Sequence, residues 1–285
     1  MLINKDKQKQ MADDFLALHH APTILILPNA WDVASGKVFE LEGFKAIGTT
    51  SAGIAATLGY PDGQHISLIE NMEVVQRIIN NTTLPVSVDI ESGYATSIEG
   101  VVKAARAVLH VGAVGLNLED STGDPATPLF EKALQQDKIK AIREMSMANG
   151  IHLVINARTD VVMINGDSPQ SRREAIDRGN AYKEVGADCI FVPDIGNLDK
   201  KSIAMLVKEI DAPVNIIAGA TTPPITELQE MGVSRVSVGP RPMRAVLSLL
   251  RKIAKELMTT GTYKLMSESS ISYSEVNQWF SERNA

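Results

Sequence analysis

The sequence predicts an α/β chain folded as a (β/α)8 TIM-type barrel. Three observations predict it. Eight short runs rich in Val, Ile and other apolar residues alternate with eight longer amphipathic segments, and such alternation implies a parallel sheet covered by helices. The eight units fill about 250 residues, the usual size of such a barrel. No glycine-rich phosphate turn follows the first run, which argues against a doubly wound open sheet.

The expected strands are 23–28, 45–50, 85–91, 114–120, 152–160, 189–194, 213–218 and 235–240. The expected helices are 32–42, 67–80, 97–110, 132–148, 170–185, 199–209, 224–231 and 241–258. The whole chain, 1–285, reads as one domain: an N-terminal helix within 1–20, the barrel over 21–258 and a helical tail over 259–285. The N-terminal segment 4–20 is expected to cover the bottom of the barrel. In the tail, Ser274 is a candidate N-cap for a short helix bearing Val276, Trp279 and Phe280. Those aromatics would pack on the chain's own barrel or on a partner subunit.

Composition narrows the function classes. The 285 residues are 44% hydrophobic and 22% charged, with a net charge of −6. No basic stripe interleaved with aromatics suggests nucleic acid, whereas a small anionic substrate needs only local positive charge. Cys189 is the only cysteine, so no intrachain disulfide and no CxxC metal site can form. There is no signal-like apolar core at the N-terminus and no run long enough to span a bilayer. A reduced, cytoplasmic protein is expected. The five histidines show no metal-ligand spacing and are expected at the surface or at helix caps.

In such barrels the active site lies at the C-terminal ends of the strands. There the strands turn polar. The third ends in Asp89 and Glu91, which strand alternation would aim at one face. The fourth ends in Asn117 and Glu119 on one face and Asp120 on the other, and the fifth in Asn156, Arg158 and Asp160. The second ends in the small polar run TTSAG, 49–53. Carboxylates crowded at one mouth repel each other and are costly to desolvate. A bound cation relieves both costs, and oxygen-only donors favour a hard ion, Mg2+ or Mn2+. Arg158 would either fork a substrate carboxylate or neutralise the acids as a structural ion pair. Asn215, lower on the seventh strand, is a candidate ligand contact or an interior hydrogen-bonding residue. Tyr94, after the glycine of the third-strand turn, is a candidate donor or acid.

The segments LPNAWDVASGKVFELEGFKAIGTTSAGIAATLGYPDG, DIESGY, GLNLED and NARTD resemble the isocitrate lyase/phosphoenolpyruvate mutase superfamily over residues 20–258. The closest likeness is to small bacterial members of the 2-methylisocitrate lyase-like and carboxyvinyl-carboxyphosphonate phosphorylmutase-like kinds. The resemblance implies Mg2+ at the barrel mouth, α-oxo acids or their enolates as ligands, and homodimers or homotetramers formed by swapping helices. It implies metal carboxylates at Asp89, Glu91 and Glu119, and a substrate-clamping arginine at Arg158. It also implies carboxylate-binding backbone at Thr50, Ser51 and Ala52, and a loop acid at Asp62.

Three departures bear on the reaction. Lyases of the family carry a KKCGH-like segment, whose cysteine is the general acid, on a mobile loop after strand four. Here the region reads EDSTGDPATPLFEKA, 119–133, with neither cysteine nor histidine. Phosphonate-handling members place a lysine in that loop, where this chain has Asp124 and Pro125. The second metal acid is usually aspartate, and Glu91 is one methylene longer. The expectation is a Mg2+-dependent carbon–carbon lyase that releases an α-oxo acid from a substituted 2-hydroxy di- or tricarboxylate. The alternatives are an oxaloacetate-type decarboxylase, a P–C bond enzyme, and a catalytically weak α-oxo acid binder.

Overall fold

The computed structural model describes residues 4–193, 198–268 and 270–281. The first barrel strand is in two halves, β1 (Leu25–Leu27) and β2 (Asn29–Ala30), interrupted at Pro28, which has no N–H to give a ladder. β2 pairs with β3 (Ile47–Thr49), and β1 pairs with the last strand, β9 (Arg235–Ser237). Between these run β4 (Val86–Asp89), β5 (Gly115–Glu119), β6 (Val154–Arg158), β7 (Cys189–Phe191) and β8 (Val214–Ile217), in chain order and all parallel. The chain pass through Pro28 therefore closes the sheet into the expected eight-stranded barrel. Asp194, the last residue of the expected strand 189–194, lies outside the described residues.

Helices cover the outside. They are α1 (Lys5–His19), α2 (Val33–Leu41), α3 (Ser51–Leu58), α4 (Leu68–Ile79), α5 (Ile98–His110), α6 (Lys132–Ala148), α7 (Val161–Asn165), α8 (Pro169–Glu184), α9 (Lys200–Glu209), α10 (Ile225–Glu230) and α11 (Arg241–Thr259), followed in the tail by α12 (Lys264–Glu268) and α13 (Tyr273–Trp279). Most begin where a side chain can satisfy a free backbone N–H. Ser67 and Glu70 form a reciprocal capping box at the start of α4, and Ser97 accepts from the Gly100 N–H at the start of α5. Three helices were not anticipated individually: α3, α7 and, within the expected helical tail, α12. α3 occupies the TTSAG region, with Thr50 as N-cap and the left-handed Gly59 (φ 84°) ending it. α7 follows β6 directly. In the tail the cap is Ser272, which accepts from the Glu275 N–H, so Ser274 lies inside the helix.

α1 closes the bottom of the barrel, as expected. Phe15 is fully buried, and its ring sits where Gly115 leaves room: a Cβ on Gly115 would lie 2.7 Å from a ring carbon. Gln8 donates to the carbonyls of Leu109 and Ala113, both at 2.9 Å, pinning the helix to the end of α5. His19 departs from its expected surface position. It is buried, with Nδ1 2.8 Å from the Phe15 carbonyl and Nε2 3.4 Å from Nη1 of the fully buried Arg235. These partners fit the neutral ring, N–H toward the carbonyl and lone pair toward the guanidinium. Burial first, then the Arg235 charge, lowers its pKa to about 3.

α11 is the eighth barrel helix by sequence, yet of its residues only Met243 is buried. Val246, Leu247, Leu249 and Leu250 are exposed on it. Ile26, on the outward face of β1, is itself 37% exposed, although a barrel strand normally has a helix over its outer face.

Candidate active site

At the C-terminal ends of the strands a cavity of about 180 Å³ opens between β2, β3, β4, β5, β6, β7, β8 and β9. Thr50, Ser51, Ala52, Asp62, Asp89, Asn117 and Arg158 line it. Seven candidates that are far apart in sequence therefore share one space.

Asp89 is anchored by the start of α3. Its Oδ2 accepts from the Ser51 hydroxyl at 2.8 Å and from the Ser51 backbone N–H at 3.2 Å, while its own N–H donates to Thr49 Oγ1 at 2.9 Å. A carboxylate at a helix N-terminus is favoured by the free N–H groups and by the dipole. The Ser51 N–H, assigned to a substrate carboxylate by resemblance, is thus committed to Asp89 in this structure.

The expected strand pairing of Asp89 with Glu91 does not hold. β4 stops at Asp89, and Glu91 adopts φ 51°, Gly93 φ 97° and Tyr94 φ 56°. Left-handed backbone at two non-glycine residues is strain held by its surroundings, a feature that clusters at functional sites. The turn still carries Glu91 toward the acids: burial, then the charges of Asp89 and Asp62, push its carboxyl up to about 8.

Glu119 and Arg158 meet because β5 and β6 are in register. Glu119 lies directly opposite Arg158, as Asn117 lies opposite Asn156. Glu119 Oε2 stands 2.9 Å from Arg158 Nη1. Arg158 Nε and Nη2 donate to the two oxygens of Asp160 at 2.6 and 2.9 Å. Burial raises the Glu119 carboxyl well above the usual range, against the opposing charge of Arg158. Burial disfavours the Arg158 charge too, but Glu119 and Asp160 outweigh it, and the guanidinium stays protonated.

Asp120 points away from the mouth, as the alternation predicts. Its Oδ1 accepts from the Asp160 N–H at 2.9 Å, and its Oδ2 from the Tyr182 hydroxyl at 2.7 Å and from Arg178 at 3.3 Å. This buried network ties β5, β6 and α8 together behind Arg158. The loop after β5 folds back on itself through a bridge between Ser121 and Leu129.

Four candidates do not line the cavity. Glu91 and Glu119 sit behind it, within electrostatic reach of Asp89. Tyr94 turns its hydroxyl toward Asn71, accepting from Nδ2 at 3.0 Å, and burial keeps the phenol protonated. Asn215 is fully buried below the floor and donates to Ser237 Oγ at 3.3 Å. Neither lines the cavity. Sequence reasoning missed Asn29, Ser237, Phe191 and Ile217, which do line the cavity. Asn29 follows Pro28, and its Oδ1 accepts from the N–H groups of Val238 and Gly239 at 2.9 and 2.8 Å, closing the barrel between first and last strands. Its position within the LPNAWD segment was the one available signal.

The donor set suits a hard divalent cation. Asp62, Asp89, Glu91 and Glu119 offer only oxygen, and the carboxyls of Asp62, Glu91 and Glu119 are raised first by desolvation and then by neighbouring carboxylates. Asp62, exposed at the rim, is raised by partial desolvation and then by Asp89. Among the described residues no three of these groups stand close enough to chelate one ion together. An ion that keeps several waters and takes one or two direct carboxylates fits this spacing, as Mg2+ does.

Comparison with known proteins agrees with this architecture. A protein of Mycobacterium tuberculosis with no assigned activity is 36% identical over 235 residues, 82% of this chain and 84% of its own length. The 2-methylisocitrate lyase of Halalkalibacterium halodurans is 28% identical over 268 residues, covering 90% of this chain and 84% of its own. The crystal structure of a candidate lyase/mutase from Burkholderia cenocepacia superposes with a TM-score of 0.89 at 31% identity, over 97% of this chain and 98% of that one. The family model described as phosphoenolpyruvate phosphomutase matches residues 15–258. With barrel, mouth and motifs all in place, the chain belongs to the phosphoenolpyruvate phosphomutase family, within the isocitrate lyase/PEP mutase superfamily of lyases and mutases.

Proposed function

We propose that the protein is a Mg2+-dependent carbon–carbon lyase acting on a 2-hydroxy or 2-oxo carboxylate and releasing an α-oxo acid. One observation carries this reading: four acids and an arginine gather at the barrel mouth, and the carboxyls of Asp62, Glu91 and Glu119 are raised by burial and by neighbouring carboxylates. Asp89 would hold the ion directly, and Glu91 and Glu119 through bound water. The cation, when bound, supplies Lewis acidity that lowers the cost of negative charge developing on the substrate oxygen.

The chain's own residues supply the rest. The Arg158 N–H groups not used by Glu119 and Asp160 hold the substrate carboxylate, and the Asp160 fork fixes the plane in which they point. Asn117 and Thr50 present polar atoms along the wall. Among the described residues no histidine, cysteine, lysine or tyrosine lines the cavity, and this reading assigns proton handling to Asp62, whose carboxyl is raised by desolvation and by the charge of Asp89. We further propose a homodimer or homotetramer in which α11 covers the outer face of a partner's barrel. The exposed apolar side of α11 and the exposed Ile26 support this.

Turnover of a panel of 2-hydroxy and 2-oxo acids, with Mg2+ or with a chelator, tests the reading. Mg2+-dependent appearance of an α-oxo acid product is the expected result. Tight Mg2+-dependent binding of oxo acids without turnover would instead identify a binder.

A further inference from the structure

Arg235 is among the largest side chains fully buried in the chain, and its hydrogen-bonding contacts are with neutral groups. It stands on β9 two residues before Ser237, which lines the cavity, and so one layer deeper in the barrel. Burial lowers its pKa to about 10, which leaves it a cation at neutral pH. Its Nη1 faces the His19 lone pair at 3.4 Å, and its Nη2 donates to Asn117 Oδ1, also at 3.4 Å.

Asn117 Oδ1 has a second buried donor, Asn156 Nδ2, at 2.7 Å. Two paired amides by themselves read equally well in either sense, since each has a donor end and an acceptor end. Arg235 removes that freedom. A guanidinium can only donate, so the end of Asn117 that faces it must be the oxygen, and the amide nitrogen is turned away from both donors. Asn117 is partly exposed and lines the cavity, and among the described residues its Nδ2 has no acceptor and is not fully buried. Ser237 follows the same sense: its Oγ accepts from the buried Asn215 at 3.3 Å, and its O–H is left to donate. The deep part of the cavity therefore offers hydrogens. Every oxygen of an ionised 2-oxo acid, and of its enolate, is an acceptor, and a donor fixed before the ligand arrives costs no reorganisation.

We infer that Asn117 donates a hydrogen bond to an oxygen of the bound acid, and that Arg235, beneath it, is the positioning residue that fixes its amide for that task. This rests on the reading of the mouth as a Mg2+-dependent oxo acid site. It adds a donor from the barrel's interior to the Arg158 fork.

The test is calorimetric titration of the full chain with pyruvate at saturating Mg2+, on Asn117→Ala, Arg235→Met and the double variant. Asn117→Ala should weaken pyruvate binding about tenfold, as loss of one hydrogen bond to a charged group does. Arg235→Met should weaken it by about twofold or more, the loss expected when both senses of the amide become populated. In the Asn117→Ala background the Arg235 substitution should add nothing, because no amide is left to turn, whereas a merely structural role would give the same further loss in both backgrounds. Unchanged affinity in Asn117→Ala overturns the inference and leaves the oxo acid site standing. An Arg235→Met loss that persists undiminished in that background, or no loss at all, overturns the positioning role. If the wild-type chain binds no pyruvate with Mg2+, the reading of the mouth fails, and the inference with it. Should Arg235→Met show no melting transition, Arg235→Gln, whose amide can turn an acceptor toward Asn117, takes its place in the cycle with the same expectation.

Discussion

Arg158 and Asp160, two residues apart at the end of β6, form a fork-to-fork pair with contacts of 2.6 and 2.9 Å. Asp160 is fully buried, and its backbone N–H is held by Asp120, so the arginine is oriented by a chain of buried bonds. Two planar groups joined at two points cannot rotate independently. Arg158→Lys should therefore weaken oxo acid binding by about tenfold or more, since a point charge cannot replace the fork. Asp160→Asn should do so to a lesser degree, because one of its two acceptors becomes a donor. Titration of Mg2+-loaded protein with pyruvate checks both, and unchanged affinity in both would make the pair structural.

Asp89→Ala should abolish Mg2+-dependent turnover without unfolding the protein. Removing one of several crowded carboxylates relieves repulsion on Glu91 and Asp62, so the melting temperature in chelator should be unchanged or slightly higher. Wild-type protein should gain stability on adding Mg2+, by about 2.7 kcal/mol at one hundred times the dissociation constant. The variant should gain almost none. Differential scanning calorimetry with and without Mg2+ gives both answers.

His19 sets an acid limit on stability. Burial and the charge of Arg235 lower its native pKa to about 3 from the ordinary 6.5. Below about pH 6.5 the unfolded chain therefore binds a proton that the native state refuses. Stability from this group is fully present above pH 6.5 and falls as the pH drops toward 3, with a limiting slope of about 1.4 kcal/mol per pH unit. His19→Gln should be less stable near neutrality yet lose less on acidification. Urea unfolding of both proteins between pH 7.5 and 4.5, taken as a difference, isolates this contribution from that of the acids at the mouth.

Gly115→Ala tests the plug at the barrel's bottom. The new Cβ would lie 2.7 Å from a Phe15 ring carbon and 3.1 Å from Ser87 Oγ. Overpacking of this kind costs about 1–3 kcal/mol, seen as a lower urea midpoint. Phe15→Leu in the same chain should recover part of the loss by making room.

Leu247→Glu together with Leu250→Glu places charge on the apolar side of α11, where both leucines are half exposed. If that side covers a partner, the double variant should elute as a monomer with light scattering to match, while the wild type runs as a dimer or tetramer. A monomeric wild type would remove the assembly proposal.

The sequence by itself determined the barrel, because strand and helix periodicities and caps such as Ser67 and Ser97 are local properties that survive into the fold. It also determined which strand ends bear polar groups: alternation along β5 separates Asn117 and Glu119 from Asp120, whereas the register that sets Glu119 opposite Arg158 came from the structure. Local patterns could not show that the backbone turns left-handed at Glu91, that Ser51 spends its N–H on Asp89, that the Tyr94 hydroxyl pairs with Asn71, or that Asn215 bonds to Ser237 beneath the cavity. Nor could they show His19 buried against Arg235, 216 positions away in the chain. Those outcomes depend on which groups compete for the same space and charge once eight strands converge. Only the tertiary structure brings the competitors together, and it left one arginine to serve two internal acids and whatever acid the site binds.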